Sequence, residues 1–151
     1  MSIPDVEALL VEHLNQQQTI IDIAGTGRVS TEIPAGADMP RIRLTLTGGS
    51  PEIPGWLHAP RVNIEAYAES KPQAFDLIVA AIEAAEQLTN TVRAGIVISS
   101  CEQETGLSWS PDPFTETPRY LAAIVLYVHP DPTPQPAGFG AAEFGLQPFG
   151  A

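Results

Sequence analysis

One stretch of this chain, residues 60 to 88, constrains the fold most, because a strand there runs directly into a long helix. Residues 61–68 alternate polar side chains with small or aliphatic ones, the period-2 pattern of a strand with one face on a core. Ser70 and Gln73 then make a capping-box pair, and Pro72 suits a first helical turn, where a missing N–H does no harm. We therefore expect a strand over 61–68 and a helix over 70–88.

The interior of that helix is unusually rich in alanine. Its small and apolar residues recur at helical spacing: Ala74, Leu77, Ile78, Ala81, Ile82, Ala85 and Leu88. Alanine side chains allow a helix backbone to lie close on a sheet. The pattern predicts a core helix and places no residue for chemistry.

The remaining segments extend this into an α+β fold. A helix is expected over about residues 4–15, and strands over 28–32, 41–47, 95–101 and 119–128, while 19–23 is open to a further strand. The last strand is apolar on both faces, which places it centrally in its sheet. The order predicts a mixed, mainly antiparallel sheet with two helices packed on one face.

The chain divides into a domain over residues 1–128 and a C-terminal arm over residues 129–151. Prolines at positions 130, 132, 134 and 136 favour an extended chain, and three Phe-Gly pairs follow at a spacing of five, at Phe139, Phe144 and Phe149. Such a segment cannot bury its own phenylalanines. Either it is a disordered tail or its rings dock on a neighbouring protein, and we expect docking.

Charge and composition exclude several classes of protein. Seven basic residues against eighteen acidic ones give a net charge of -11, and the basic residues form no stripe, so direct nucleic-acid binding is disfavoured. No apolar run approaches the length needed to span a bilayer, and no signal peptide is expected. The single cysteine, Cys101, falls in a predicted strand and is expected to be a buried hydrophobe.

A search for catalytic chemistry returns nothing. His13, His58 and His129 have no metal-ligand spacing, and the Gly25–Gly27 turn fails the dinucleotide pattern because position 30 is serine. The acidic pairs Glu102/Glu104 and Glu83/Glu86 fit solvated surfaces. The sequence therefore predicts no catalytic residue, no cofactor, no metal and no enzymatic activity.

Three short motifs resemble the tail terminator proteins of long, flexible-tailed phages (siphophages). Residues 6–11 resemble that family's opening helix, and 29–34 followed by 39–44 are similar to its first two strands. The most specific match is residues 62–68 with Ala74 and Leu77, which resembles the family's "v-x-v-x-x-y/w-A, then A-x-x-L" segment. The resemblance covers about residues 4–128.

The resemblance implies a structural virion protein of the tail and neck, assembled in the host cytoplasm. Such a protein forms a homohexameric ring on the last tail-tube ring, stops tube polymerisation and offers a surface to the head-tail connector. Its implied partners are itself, the tube protein and the connector, with DNA passing through the bore without specific binding and no membrane contact. The alternatives are a head-completion protein of the neck, or a monomeric peptide- or ligand-binding domain with Trp56 and Trp109 lining a groove.

Two cations on an otherwise acidic chain are the interface residues that the sequence suggests within the domain. Arg41 and Arg43 fall on the polar face of the strand over 41–47. We expect them near a subunit or partner boundary, where carboxylates of another subunit could pair with them.

Overall fold

Three helices and seven strands form the part of the chain that the computed structural model describes, residues 5–53 and 57–130. They are α1 (Val6–Asn15), α2 (Gln18–Ala24), β1 (Val29–Ser30), β2 (Arg41–Ile53), β3 (Leu57–Tyr67), α3 (Lys71–Glu86), β4 (Thr91–Arg93), β5 (Ile96–Gln103), β6 (Ser108–Trp109) and β7 (Arg119–Pro130). No helix within these ranges is long and apolar enough to cross a bilayer.

The strands form one sheet in the order β1-β2-β3-β7-β5-β4, with the short β6 also paired to β7. Every pairing is antiparallel except that of β1 with β2, which is parallel. The predicted α+β class and the mixed, mainly antiparallel sheet are confirmed. The central position expected for the last strand is also confirmed, because β7 has β3 on one side and β5 and β6 on the other.

The long helix begins where the sequence predicts. The Ser70 side chain caps α3 by accepting a hydrogen bond from the Gln73 amide at 3.3 Å, while the Gln73 side chain accepts from the Glu69 amide at 3.2 Å. The reciprocal bond thus goes one residue earlier than in a standard capping box. Ala81 and Ala85 have no exposed surface, which agrees with close packing of this helix in the core.

Helix α2 is a correction to the expected pair of helices. The isoleucine-rich segment 19–23 was open to a strand, since β-branched residues favour strands, but it lies within α2. Ile20 and Ala24 are four residues apart, so one helical face buries both against the core, and Gly25 ends the helix at φ +97°. The strand expected over 28–32 shrinks to β1, and the two short strands β4 and β6 were not expected.

The last strand extends two residues beyond the expected domain limit at 128. Pro130 still pairs with Ile96 at the edge of β5. The arm that we expect after it, from residue 131 onward, lies outside the described residues.

Gly49 shapes the hairpin between β2 and β3. The strand register shifts between Leu46 and Gly49, and Gly49 adopts a φ of +102°. A Cβ atom there would lie 2.1 Å from the Ala59 carbonyl oxygen and 2.8 Å from the Arg61 amide nitrogen. Gly48 has a similar φ of +99°, but a Cβ on it would meet nothing within 4 Å. A substitution at Gly48 would therefore cause backbone strain alone, whereas one at Gly49 would cause both backbone strain and steric overlap.

We predict that Gly49→Ala destabilises the domain far more than Gly48→Ala. Both alanines carry the cost of a left-handed backbone, roughly 1–2 kcal/mol, but only Gly49→Ala also forces β2 and β3 apart. Urea unfolding of the two variants measures the difference. Equal losses would show that the close approach of the two strands is relaxed at no cost.

Candidate functional site

The helices pack on one face of the sheet, and the opposite face carries polar side chains that meet across strands. Along β2 and β3, Arg43 and Glu65 alternate with the fully buried Leu44 and Ile64 and therefore point away from the core. The register sets Arg43 directly opposite Glu65. It also sets Tyr67 opposite Arg119 of β7.

Glu65 is the centre of this polar group. Its Oε1 atom accepts hydrogen bonds from Arg43 Nε at 3.1 Å, from Arg43 Nη2 at 2.7 Å and from the Tyr67 hydroxyl at 2.6 Å. Arg119 Nη1 lies 3.6 Å from the same oxygen. Two guanidinium groups therefore share one carboxylate, which has 13% of its side chain exposed and offsets the charge of one of them.

Arg119 connects this group to the segment that precedes β7. Its Nε donates to the Ser110 carbonyl at 2.8 Å, and its guanidinium carbon lies 5.7 Å from the centre of the Tyr67 ring. Burial raises the pKa of Tyr67 above its ordinary value, and the hydrogen bond to the Glu65 carboxylate raises it further. The group links β2, β3, β7 and the β6–β7 connection.

A cleft of about 390 Å³ opens above this polar group. Arg43 and Tyr67 contribute to its floor, while its walls come from the loop that follows β1, including Ile33 and Met39, and from the loop around Asp112. Glu65 offsets only one of the two guanidinium charges, so the floor keeps a positive charge. The cleft therefore offers a partner this positive floor together with an apolar wall and the Asp112 carboxylate.

The loop between β6 and β7 presents a phenylalanine to solvent. The Asp112 carboxylate accepts hydrogen bonds from the amides of Phe114 at 2.8 Å and Thr115 at 3.1 Å, and these bonds lower the pKa of Asp112. The Asp112 amide in turn donates to the Thr117 carbonyl at 3.0 Å. The Phe114 ring at the tip of this loop is 93% exposed. An ordered loop that exposes a whole aromatic ring is typical of a contact site.

A row of three aromatic rings lies beside this loop, where β6 forms an edge of the sheet. Tyr120 packs edge-to-face against Phe75 at 5.6 Å between ring centres and lies 5.2 Å from Trp109 on a tilt. Phe75 and Trp109 are about 40% exposed, and Lys71 Nζ lies 4.7 Å from the Trp109 ring centre. We call Phe75, Trp109 and Tyr120 the aromatic row.

Cys101 and His13 are buried, and their surroundings suppress the reactivity of their side chains. Burial raises the pKa of the Cys101 thiol to about 12, with Glu86 and Glu102 adding to the shift, so the thiolate is negligible at neutral pH. This agrees with the expected buried hydrophobe. His13 Nε2 donates to the Ala84 carbonyl at 2.8 Å, and burial lowers the pKa of His13. No group of three or more metal-ligating side chains occurs in the described ranges.

Arg41 and Arg43, the two cations expected at a boundary, both have partners within the chain. Arg41 Nε donates to the Asp38 carbonyl at 2.8 Å, and Arg43 forms the ion pair with Glu65. Arg43 therefore already has a carboxylate partner on β3, and a carboxylate of another subunit would have to share it with Glu65. Whether either residue lies at a boundary remains a prediction.

The other contact residues that the sequence suggests are not tested by the structure, and one exposed aromatic residue was not expected. Phe139, Phe144, Phe149 and Trp56 lie outside the described residues, so the expected arm contacts and the Trp56–Trp109 groove stay predictions. Sequence reasoning missed Phe114. The signal was present, since Asp112 two residues before it is suited to a turn in which the carboxylate binds following amides.

The fold is similar to that of a solved chain described as part of the virion of a native gene transfer agent particle. The TM-score is 0.65 at 13% sequence identity, and the match covers 82% of this chain and 94% of that chain. At this identity the likeness shows the fold. No protein-family model matches the sequence, and no curated protein matches it.

We predict that Tyr67→Phe weakens the alkaline pH dependence of stability. Tyr67 keeps its proton in the folded state beyond about pH 10, where an unfolded tyrosine ionises, so folding loses free energy as the pH rises through that value. The variant lacks this dependence and loses roughly 0.5–1.5 kcal/mol at neutral pH with the hydrogen bond. Denaturant unfolding from about pH 9 to pH 11 tests this; parallel curves for both proteins would contradict it.

Proposed function

We propose that this protein is a structural component of a phage-like virion, and more specifically a tail terminator. In this role it forms a homohexameric ring on the end of the tail tube, stops tube polymerisation and presents a surface for head-tail joining. The observation that carries the proposal is the fold shared with a gene transfer agent virion chain, because the match spans 94% of that chain. The motif resemblance over residues 4–128 supports the finer assignment.

The surroundings of the reactive side chains favour an assembly role over an enzymatic one. The Cys101 thiol is protonated and buried, and the His13 ring is held between α1 and the end of α3. The charged groups beneath the cleft bind one another and brace the sheet. These groups stabilise a scaffold, which is what a ring subunit requires.

The exposed apolar groups supply contact sites for such a ring. Hydrogen bonds to Asp112 hold the backbone at Phe114, and stacking holds the rings of the aromatic row, so less conformational entropy is lost when a partner covers them. The acidity of the chain fits a bore through which DNA slides without binding. Arg41 is the better of the two proposed boundary cations, because Arg43 is already paired with Glu65.

The full-length chain, alone and with purified tube protein, tests the proposal through its mass. We expect a species of about six times the 16.1 kDa of one chain, on its own or on tube ends, and tubes that stop growing when the protein is added. A head-completion protein would leave tube growth unchanged. A monomeric binding domain would keep the mass of one chain throughout, and that result contradicts the ring.

Phe114→Ala should weaken assembly, either between subunits or on the tube. Removing a ring that a partner buries costs binding on the order of 1.5–3 kcal/mol, roughly ten- to a hundredfold in affinity. The melting temperature should hold, because Phe114 is 93% exposed within the subunit. Phe114→Leu keeps most of the apolar surface and should restore assembly. If Phe114→Ala assembles normally, this loop is not a contact site.

Salt should promote the assembly of rings. Subunits with a net charge of -11 repel one another, and contacts made by apolar groups are not weakened by screening. Raising sodium chloride from about 50 mM to about 500 mM should therefore shift the mass distribution toward the ring. Dissociation at high salt would instead indicate contacts dominated by ion pairs.

A further inference from the structure

We propose that the aromatic row of one subunit is the docking site for the C-terminal arm of its neighbour, with Phe144 seated against Trp109 and Glu143 beside Lys71. The inference rests on the proposed ring, because the neighbour is the adjacent subunit. It assigns a receptor surface to the arm, and it assigns the Phe144 side chain to that surface.

The receptor surface is apolar and incompletely covered within the subunit. The contacts among the three rings leave Phe75 43% exposed and Trp109 40% exposed. Leu107, close by in the chain, is 36% exposed. The row lies beside β6, a two-residue strand whose pairing partner is β7. An extended peptide can lie along such an edge and place a side chain on the row.

The arm has the matching chemistry. Beyond Pro130 it carries three phenylalanines at a spacing of five, and its charged residues are Asp131 and Glu143. A nearly uncharged segment approaches an acidic domain with little repulsion, whereas most other parts of this chain carry acidic side chains. The arm is therefore the part of the chain best suited to cover an apolar patch.

One pair of opposite charges sets the register. Lys71 is the chain's single lysine, and it is exposed above the Trp109 ring. Glu143 immediately precedes Phe144, and Lys71 Nζ lies 4.7 Å from the Trp109 ring centre, so a Phe144 ring placed on Trp109 leaves the Glu143 carboxylate within reach of the long lysine side chain. Gly138 and Pro148 precede Phe139 and Phe149, and neither could pair with the lysine.

The direction in which the arm leaves the domain favours the neighbour over the arm's own subunit. Tyr120 and Pro130 are ten residues apart along β7, so the arm starts about 33 Å from its own aromatic row. Alternating prolines favour continuation away from the domain, and Phe144 lies fourteen residues beyond Pro130, a span of about 43 Å when extended. A domain of this size is about 36 Å across, so the Phe144 side chain can reach an adjacent subunit without the arm turning back, whereas its own aromatic row is reached only if the arm reverses direction.

Trp109 fluorescence in the full-length Trp56→Phe chain tests the proposal, since Trp109 is then the single tryptophan. We expect acrylamide quenching of Trp109 to fall severalfold as the chain assembles. Phe144→Ala should abolish that protection, while Phe139→Ala, the matched control, should leave it intact. Lys71→Glu and Glu143→Lys should each reduce the protection, and the double charge swap should restore it.

Mass measured on the same samples separates this inference from the ring itself. If hexamers form but acrylamide still quenches Trp109 as strongly as in the monomer, the docking is contradicted and the hexameric ring is not. The same holds if Phe144→Ala leaves the protection of Trp109 unchanged. Protection already complete in the monomer places the arm on its own subunit and also overturns the proposal. A chain that stays monomeric with Trp109 accessible contradicts both the docking and the ring.

Discussion

The close approach of α3 to the sheet determines most of what this protein presents to partners. Ala74, Ala81 and Ala85 are fully buried, so the helix backbone can lie on β3, β7 and β5 with little side chain between them. All three helices then cluster together, with α1 and α2 both packed against α3. The sheet is left with one face that must satisfy its polar groups without helices, and the exposed rings lie on α3, on the short edge strand β6 and in the loop that follows it.

The polar group on that open face follows from this constraint. A partly buried carboxylate is costly to desolvate unless it is paired, and Glu65 is paired with two guanidinium groups and a phenol. The same contacts fix the relative positions of β2, β3 and β7. The network also anchors the start of the β6–β7 loop through Ser110, so the position of Phe114 depends on it.

Periodicity predicts the parts of the fold that are local. The sequence predicted the strand ending near Tyr67, the cap at Ser70, the buried alanines and the central last strand. Each of these features depends on spacing within a short segment. Helix α2 was not predicted, since its isoleucines favour a strand and packing against α3 decides otherwise. Of the proposed site, the sequence indicated the cations but not their partners. Glu65 and Arg119 are 54 positions apart, and only the sheet register brings them together.

The use of the cations within the chain decides how this protein can associate. Arg28 and Arg41 bind backbone carbonyls, Arg43 and Arg119 share Glu65, Arg61 lies 2.8 Å from Glu104, and Lys71 lies over Trp109. Six of the seven cations are thus engaged inside the subunit, while the chain retains a net charge of -11. Ion pairs between copies would have to compete with these contacts. The proposed association would therefore draw mainly on apolar surface, and the rings exposed at the loop tip and beside β6 are its aromatic part in the described structure.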